Sequence, residues 1–324
     1  MYDLISIGDA GIDTLVDLHE ESAQCSLNRE ESLICLRYAD KILVDGMTSK
    51  TAYNGMNVAV GAKRLALKTS LYATVGGDHA GRRILNVLER EGVDTRHMVV
   101  EKKLRTNASV VLDYNEERTI LVYHEDYHYR LPRLARQTKW VYLTTMGKRY
   151  APVYAAVTRF ISHGRTKLAF NPGSFQLKAG VRKLKAVLGI TGVLFVNKEE
   201  ARLLTSNQDE RDIKELLRGL LKLGPKIAVV TDGPKGSYAS DGEHFYSLSV
   251  LPIKIVERTG AGDSYATGFV AALIHGHDLK EAMRWGAVNS ASVIEQIGPQ
   301  DGLLKLAELH HKLRIHPRFQ PRLI

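Results

Sequence analysis

The 324-residue sequence lacks the features that would place it outside the ordinary globular classes. Its two cysteines, Cys25 and Cys35, are too few for a disulfide framework and do not have the spacing of a metal site. No basic leader precedes the first apolar run, and no apolar run approaches the roughly 20 residues that cross a bilayer. We therefore expect a soluble, cytoplasmic protein that does not engage a membrane.

The sequence also lacks an internal repeat, a low-complexity tract and a Pro/Gly-rich linker. We therefore expect one domain over residues 1–324. A formal net charge of +9 would permit nucleic-acid binding, but the basic residues are scattered and no nucleic-acid module accompanies them. Attraction of a small anionic nucleotide is the simpler use of this charge.

Short apolar runs alternate with helical patterns from about residue 140 onward. Four runs of this kind lie at 141–143, 168–170, 193–196 and 227–230. Helical patterns occupy the intervals between them, at 151–163, 181–188, 198–204 and 212–223. Such βαβ units build a parallel sheet covered by helices on both faces.

The N-terminal half has a different pattern. The apolar runs 109–112 and 119–122 flank a polar turn and predict a β-hairpin, and residues 14–50 could add further strands. We expect a small β-sheet lid, formed from about 14–52 and 98–128, that is inserted into the single domain.

One short segment combines glycines with a carboxylate at the start of a predicted helix. Residues 259–263 read Thr-Gly-Ala-Gly-Asp, and 264–275 fit a helix. Glycines let a ligand approach the backbone, and the free N–H groups of a first helical turn attract an anion. Asp263 would be ionised there and able to accept a proton. Taken alone, the segment is equally compatible with a Gly-rich turn whose aspartate caps the helix.

Five segments together resemble, in the same order, the motifs of the ribokinase (PfkB) family of carbohydrate kinases. They are found at 57–67, 75–81, 196–205, 231–236 and 259–269, and the resemblance extends over about 4–302. Each motif is weak by itself. Their order along nearly the whole chain makes coincidence implausible.

The resemblance implies a ribokinase-like α/β fold, with a mostly parallel central sheet flanked by helices and a small β-sheet lid. It implies a kinase that moves the γ-phosphoryl group of ATP to a hydroxyl of a sugar or related small molecule, with Asp263 as general base. The implied anion hole comprises Gly260, Ala261 and Gly262. The implied nucleotide site comprises Thr231, Gly233, Gly236, Asn197, Glu200 and Asn289. The implied acceptor site comprises Asp13, Asn57 and Gly55.

The resemblance also assigns Asn197 and Glu200 to Mg²⁺. They lie three residues apart at a strand-to-helix junction, so both face the same side of the first helical turn. One amide and one carboxylate suffice for an ion that keeps several waters and binds phosphates. Without the other motifs, the same spacing would favour a helix capping box with Asn197 as N-cap and Glu200 at N3.

Two departures from the family pattern affect the acceptor and a cation. Ala52 and Tyr53 stand where the family has a glycine pair, which leaves the size and pose of the acceptor open. Glu257 stands where many members have an aspartate associated with a monovalent cation, so dependence on K⁺ is also left open.

The acceptor class, the phosphoryl donor and the oligomeric state are not determined by these motifs. A nucleoside kinase would share the scaffold and place Tyr53 or the aromatic segment 123–129 against a base, whereas a silent sugar-binding regulator would have no need of Asp263. The donor could be ADP instead of ATP, and lid strands could pair between copies in a homodimer.

A zinc site at His124 and His128 would require a helix, but the surrounding sequence indicates extended structure.

Overall fold

The computed structural model describes residues 1–18, 34–36, 38–114, 117–135, 137–207 and 212–324. Cys25 and residues 19–33 of the predicted 14–50 strand region lie outside the described residues. The described strands are β1 Tyr2–Ile7, β2 Gly11–Leu18, β3 Val44–Ala52, β4 Thr69–Tyr72, β5 Thr74–Gly76, β6 Val99–Glu101, β7 Asn107–Tyr114, β8 Glu117–Tyr123, β9 Thr138–Leu143, β10 Lys167–Phe170, β11 Val193–Asn197, β12 Ile227–Thr231, β13 Ser237–Ser240, β14 Phe245–Leu248 and β15 Arg322–Leu323. The described helices are α1 Asn54–Arg64, α2 His79–Arg90, α3 Ala151–Ser162, α4 Ser174–Lys178, α5 Val181–Leu188, α6 Lys198–Thr205, α7 Ile213–Lys222, α8 Ala261–Ile274, α9 Leu279–Ile294 and α10 Leu306–Ile315.

A large sheet forms the centre of the molecule. Its order is β15-β14-β13-β12-β11-β10-β9-β1-β4. The six strands β12, β11, β10, β9, β1 and β4 run parallel to one another. The strands β13, β14 and β15 continue the sheet in antiparallel pairing. The parallel strands are buried almost without interruption because helices cover both faces.

Successive residues of each strand enter two different cores. In β1, Ile5 and Ile7 belong to the core beneath α3, α5 and α7, whereas Leu4 belongs to the core beneath α1, α8 and α9. Helices α8 and α9 approach closely, because a Cβ on Gly268 would lie 2.6 Å from the carbonyl oxygen of Trp285. This packing fixes the position at which α8 begins.

A smaller sheet with the order β3-β2-β7-β8 stands beside the carboxyl ends of the parallel strands. It is joined there because β2 follows β1 after a short turn and β3 leads directly into α1. The two central strands pair in parallel, with Gly11 opposite Asn107 and Asp13 opposite Ser109. The faces of Gly11, Asp13 and Ser109 are buried toward the main body.

The predicted fold class is confirmed: the large sheet is mostly parallel, helices flank it, and a smaller sheet accompanies it. The predicted hairpin is present as β7 and β8. The helix at the Gly-rich segment begins three residues earlier than predicted, at Ala261, because Gly260 in a left-handed conformation turns the chain directly into it. No described helix has both the length and the apolar character to cross a membrane.

The basic C-terminal segment is bound to the body of the protein by Arg284. This arginine is 8% exposed, and its guanidinium donates to the carbonyl oxygens of Phe319 and Leu313 and to Glu281. The chain that follows Phe319 forms β15, which pairs with β14. The sheet then ends on the two-residue strand β15, and so short an edge strand offers little for another chain to pair with.

We predict that Arg284→Ala lowers the free energy of unfolding by about 2–4 kcal/mol, because buried carbonyl groups lose a charged donor. Urea unfolding measures this change, and amide hydrogen exchange should show faster exchange at residues 319–324. Arg318→Ala is the matched control, since Arg318 is exposed. Equal stability of the two variants would show that Arg284 does not hold the segment.

Candidate active site

Three of the five predicted motifs, at 196–205, 231–236 and 259–269, meet at the carboxyl edge of the large sheet. Asn197 ends β11 and lies directly opposite Thr231, which ends β12. The turn after β1 carries Asp9, and the start of α8 lies beside these strand ends. Open α/β sheets bind ligands at this edge, where strand ends and helix N-termini meet.

The N-terminus of α8 is shaped by Gly260. Its φ is 80°, and a Cβ on this residue would lie only 2.6 Å from Cβ of Pro299, so both the conformation and the space require glycine. In the described part of the chain, Ala261 and Ser264 donate their N–H groups to the carbonyls of Arg258 and Gly260. This leaves the N–H groups of Gly262 and Asp263 for a ligand, and a side chain at Gly262 would face open space.

The carboxylate of Asp263 is held by two carboxamides from α1. Its Oδ1 accepts from Asn54 Nδ2 and its Oδ2 from Asn57 Nδ2, both at 2.8 Å. The Oδ1 atom of Asn57 accepts in turn from Gln300 Nε2 at 2.9 Å. Asp263 is therefore oriented from two sides by groups that are themselves positioned.

Burial raises the pKa of the Asp263 carboxyl group above its ordinary value, since the side chain is removed from water. The hydrogen bonds from Asn57 and Asn54 and the charge of Arg118 oppose this rise. A raised pKa strengthens the carboxylate as a proton acceptor.

A cavity of about 460 Å³ adjoins the start of α8. Its lining includes apolar side chains such as Leu251, Ile253 and Ile294 together with Arg118, Arg258 and Gly262. The volume is within the range of small-molecule sites. An apolar slot next to cations and free N–H groups suits a ligand with a flat ring and an anionic group.

Three of the predicted nucleotide residues line this cavity, namely Thr231, Gly233 and Gly236. Gly233 has a φ of 49° and open space at its Cβ position, so the backbone there is accessible. Gly236 has a φ of 90° and packs against the carbonyl of Leu248, which makes it necessary for the turn itself. The turn therefore forms one boundary of the cavity.

Asn289 is placed differently from the expectation that it contacts the nucleotide. It is fully buried, its Nδ2 donates to the carbonyl of Ser264, and its Oδ1 accepts from the N–H of Leu304. Both ends of the amide are used inside the protein. Asn289 braces the first turn of α8 and does not line the cavity.

Asn197 and Glu200 form a capping box at the start of α6. The N–H of Glu200 donates to Asn197 Oδ1 at 2.8 Å, and the N–H of Asn197 donates to Glu200 Oε2 at 2.9 Å. Burial raises the pKa of Glu200. The second carboxylate oxygen is not part of the box, and it can bind a hydrated divalent ion beside the phosphates of a nucleotide.

The surroundings of Glu257 do not suit a monovalent cation. Its carboxylate is buried and accepts from the N–H groups of Thr259 at 2.6 Å and Gly298 at 3.3 Å. The guanidinium of Arg118 lies 3.8 Å away. The two N–H groups stabilise the carboxylate and the guanidinium can balance its charge, so Glu257 offers little attraction to a further cation.

Asp13, which the sequence assigns to the acceptor, lies on the small sheet. Asp13 is 8% exposed, and burial raises its pKa to about 6 in spite of a hydrogen bond with Ser109. The nearby charges of Glu257 and Asp263 add to the rise. Asp13 and Asp263 thus belong to one electrostatic cluster.

Gly55 and Asn57 connect this cluster to the main body. A Cβ on Gly55 would lie 2.8 Å from the backbone of Gly8, so glycine allows α1 to start against the turn after β1. Asn57 has both ends of its amide engaged, by Asp263 and Gln300. In this structure, both residues position the site around Asp263.

Tyr53 adopts a backbone conformation that glycine normally occupies, with φ 82° and ψ 149°. Such a conformation costs about 1–3 kcal/mol for a residue with a side chain. The phenol oxygen lies 2.7 Å from Oγ of Ser109. Tyr53 stands where the family has a glycine, and it keeps the backbone conformation that a glycine would adopt.

Several site residues carry no signal in the sequence. Asn54 donates to Asp263 and Gln300 donates to Asn57, and each pair is distant in the sequence. Arg118 reaches the cavity from strand β8. His124 and His128 do not lie on a helix: His124 approaches Asp9, with Nδ1 3.3 Å from Oδ2. Only Asn54 is close to a motif, three residues before Asn57.

Comparison with known proteins identifies the family of the chain. The model of the pfkB family of carbohydrate kinases matches residues 23–306, and the chain belongs to that family. A nucleoside kinase of Methanothermobacter thermautotrophicus is 28% identical over 82% of this chain and 85% of its own length. A 5-dehydro-2-deoxygluconokinase of Halalkalibacterium halodurans is 24% identical over 95% and 93%.

Solved structures share the fold at lower identity. A nucleoside kinase of Methanocaldococcus jannaschii superposes with a TM-score of 0.80 at 20% identity, covering 98% of this chain and 99% of its own. Arabidopsis thaliana ribokinase, complexed with ribose and ATP, has a TM-score of 0.79 at 19% identity over 97% and 99%. The protein is therefore a ribokinase-like member of a family of sugar and nucleoside kinases.

We predict that Asp13→Asn stabilises the protein above pH 6. A pKa of about 6 in the folded state, against 3.8 when unfolded, means that ionisation of Asp13 destabilises the fold by about 3 kcal/mol. The stability of wild type relative to Asp13→Asn should fall as pH rises from 4 to 6, whereas near pH 3.5 the two proteins should be almost equally stable.

Urea unfolding at a series of pH values measures this difference. Asp17→Asn provides the matched control, because Asp17 lies exposed on the same strand. A gain in stability that is the same at pH 3.5 and pH 8 would show that ionisation of Asp13 is not its cause.

Proposed function

We propose that this protein is an ATP-dependent kinase that phosphorylates a hydroxyl of a sugar or a related small molecule. The observation that carries the proposal is the buried carboxylate of Asp263, which Asn54 and Asn57 hold in place. The preceding residue, Gly262, has a backbone N–H group that is free for a ligand. A proton acceptor and an anion site are thereby placed at the same point. This combination suits phosphoryl transfer to a hydroxyl, which relies on positioning the nucleophile and stabilising charge on the phosphoryl group.

Asp263 acts as the general base. Its carboxylate accepts the proton of the acceptor hydroxyl as that oxygen bonds to the γ-phosphorus, and the bond to the β-phosphate oxygen breaks. The two carboxamides hold the oxygens in place, so little reorganisation is needed during the step. The raised pKa brings the base closer to neutral pH.

The start of α8 and two arginines act on the phosphates. The N–H groups of Gly262 and Asp263 donate to the transferring group, where negative charge is concentrated. Arg118 and Arg258 line the same cavity and supply positive charge. The apolar wall at Leu251 and Ile253 accommodates the adenine ring.

The capping box is suited to hold Mg²⁺ through Glu200, with Asn197 beside it and waters and phosphates completing the shell. When bound, the ion neutralises charge on the β- and γ-phosphates. The protein itself positions Glu200 through its bond to the N–H of Asn197.

The acceptor is bound by Asp13, which lies on strand β2 opposite Ser109. A buried carboxylate accepts hydrogen bonds from hydroxyl groups and fixes their direction. Relatives named as sugar kinases and as nucleoside kinases support this class of acceptor. A silent binding protein would have no use for a desolvated Asp263, whose burial is costly without a catalytic role.

We predict that Asp263→Asn lowers kcat by about 10²–10⁴-fold while the affinity for ATP changes little, because only the proton acceptor is lost. Coupled ADP release measures turnover, and calorimetric titration measures nucleotide binding. Asp278→Asn is the matched control, since Asp278 caps the neighbouring helix α9 and asparagine preserves that cap. Turnover that survives Asp263→Asn would exclude Asp263 as the base.

We predict that Arg118→Met lowers kcat/KM for ATP by about 10–100-fold, because the phosphates lose a nearby cation. Arg118→Lys should recover part of the loss, and the effect should shrink at high salt. Steady-state kinetics with ATP as the varied substrate measure it. Lys103→Met removes an exposed cation before β7 as a control, and an equal loss in that variant would point to net charge instead.

A further inference from the structure

The side chain of Tyr53 lies between the small sheet and the start of α1, in contact with Ser109. Its ring packs directly on Gly11, since a Cβ on that glycine would lie 2.5 Å from Cε2 of Tyr53. The ring therefore occupies the gap between the inner face of the small sheet and the start of α1. Gly11 has an ordinary φ, so the tyrosine ring is one reason that no side chain fits there.

The hydroxyl of Tyr53 places the ring beside the proposed acceptor ligand. It lies 2.7 Å from Oγ of Ser109, and Ser109 is hydrogen-bonded to Asp13, its cross-strand neighbour. Tyr53 and Asp13 thus share one hydroxyl partner. Any acceptor that contacts Asp13 must also fit against the tyrosine.

The ring is not available as a free stacking surface. Tyr53 is 9% exposed, and its edge meets His124 with ring centroids 5.8 Å apart at an angle of 84°. His124 contacts Phe175 in the same way at 5.4 Å, and Asp9 approaches its Nδ1. The aromatic rings pack on one another and leave no exposed face of Tyr53 on which a base could stack.

The backbone of Tyr53 argues that this side chain is retained for a purpose. A positive φ with an extended ψ is a conformation that glycine adopts without strain, and strained residues cluster at functional sites. Glycine would keep the backbone and remove only the ring. The contacts of the ring beside Gly11 and Ser109 therefore offset the backbone strain at Tyr53.

We infer that Tyr53 is a specificity-determining residue that limits the acceptor to a compact polyol of monosaccharide size and excludes nucleosides. This inference rests on the proposed function, because it concerns the acceptor of that reaction. A larger acceptor would need the volume that the ring occupies. Tyr53→Gly should open that volume and relieve the backbone at the same time.

The test is a comparison of acceptors between wild type and Tyr53→Gly. Ribose, fructose, glucose, adenosine, inosine and cytidine are assayed by coupled ADP release at saturating ATP. We expect the ratio of kcat/KM for nucleosides to that for sugars to rise by about tenfold or more in the variant, with KM for ATP unchanged. Wild type should prefer the sugars.

Two further variants separate the ring from other effects. Tyr53→Phe keeps the ring and loses the bond to Ser109, so it should raise KM for the acceptor but preserve the order of preference. Ala66→Gly relieves another positive φ, 62°, at an exposed position after α1 and should leave the preference unaltered. The same shift in either variant would overturn the inference.

The outcomes also separate this inference from the proposed function. An unchanged order in Tyr53→Gly, or a wild-type preference for nucleosides, overturns the role of Tyr53 while turnover that depends on Asp263 remains. If wild type phosphorylates none of the six compounds, the proposed function fails for them. Calorimetric titration of the same compounds then decides: equal binding profiles for wild type and Tyr53→Gly overturn the inference as well.

Discussion

The contact between the Asp263 carboxylate and the amides of Asn54 and Asn57 is the interaction on which the site depends. It joins the first turns of α8 and α1, two helices on the same face of the large sheet. A buried carboxylate without partners would be strongly unfavourable, so these amides stabilise its charge as well as its direction. Gln300 extends the network to the loop before α10.

The two sides of this contact have different characters. Toward β12 the surface is apolar and basic, with backbone N–H groups directed into a cavity. Toward the small sheet it is acidic and hydroxylated, with Asp13 and Ser109 on adjacent strands. The small sheet contributes to both, because Arg118 reaches the cavity from β8. Its action as a lid and its pairing in a homodimer stay predictions.

The parts of the fold that could be predicted are those encoded locally. Each βαβ unit carries its own apolar run and helical pattern, and the capping box of Asn197 and Glu200 spans only four residues. The partners of Asp263 could not be predicted, since Asn54 and Asn57 lie 209 and 206 residues away. The burial of Asn289 and the positive φ of Tyr53 likewise arise from tertiary packing.

The central claim is that Asp263 accepts a proton and does not itself accept the phosphoryl group. The most direct test uses ATP whose γ-phosphorus is made chiral with three oxygen isotopes, followed by determination of the configuration of the phosphorylated product. A single in-line transfer to the hydroxyl predicts inversion. Retention would require two successive transfers through a phosphorylated enzyme and would contradict the assignment of Asp263 as a base.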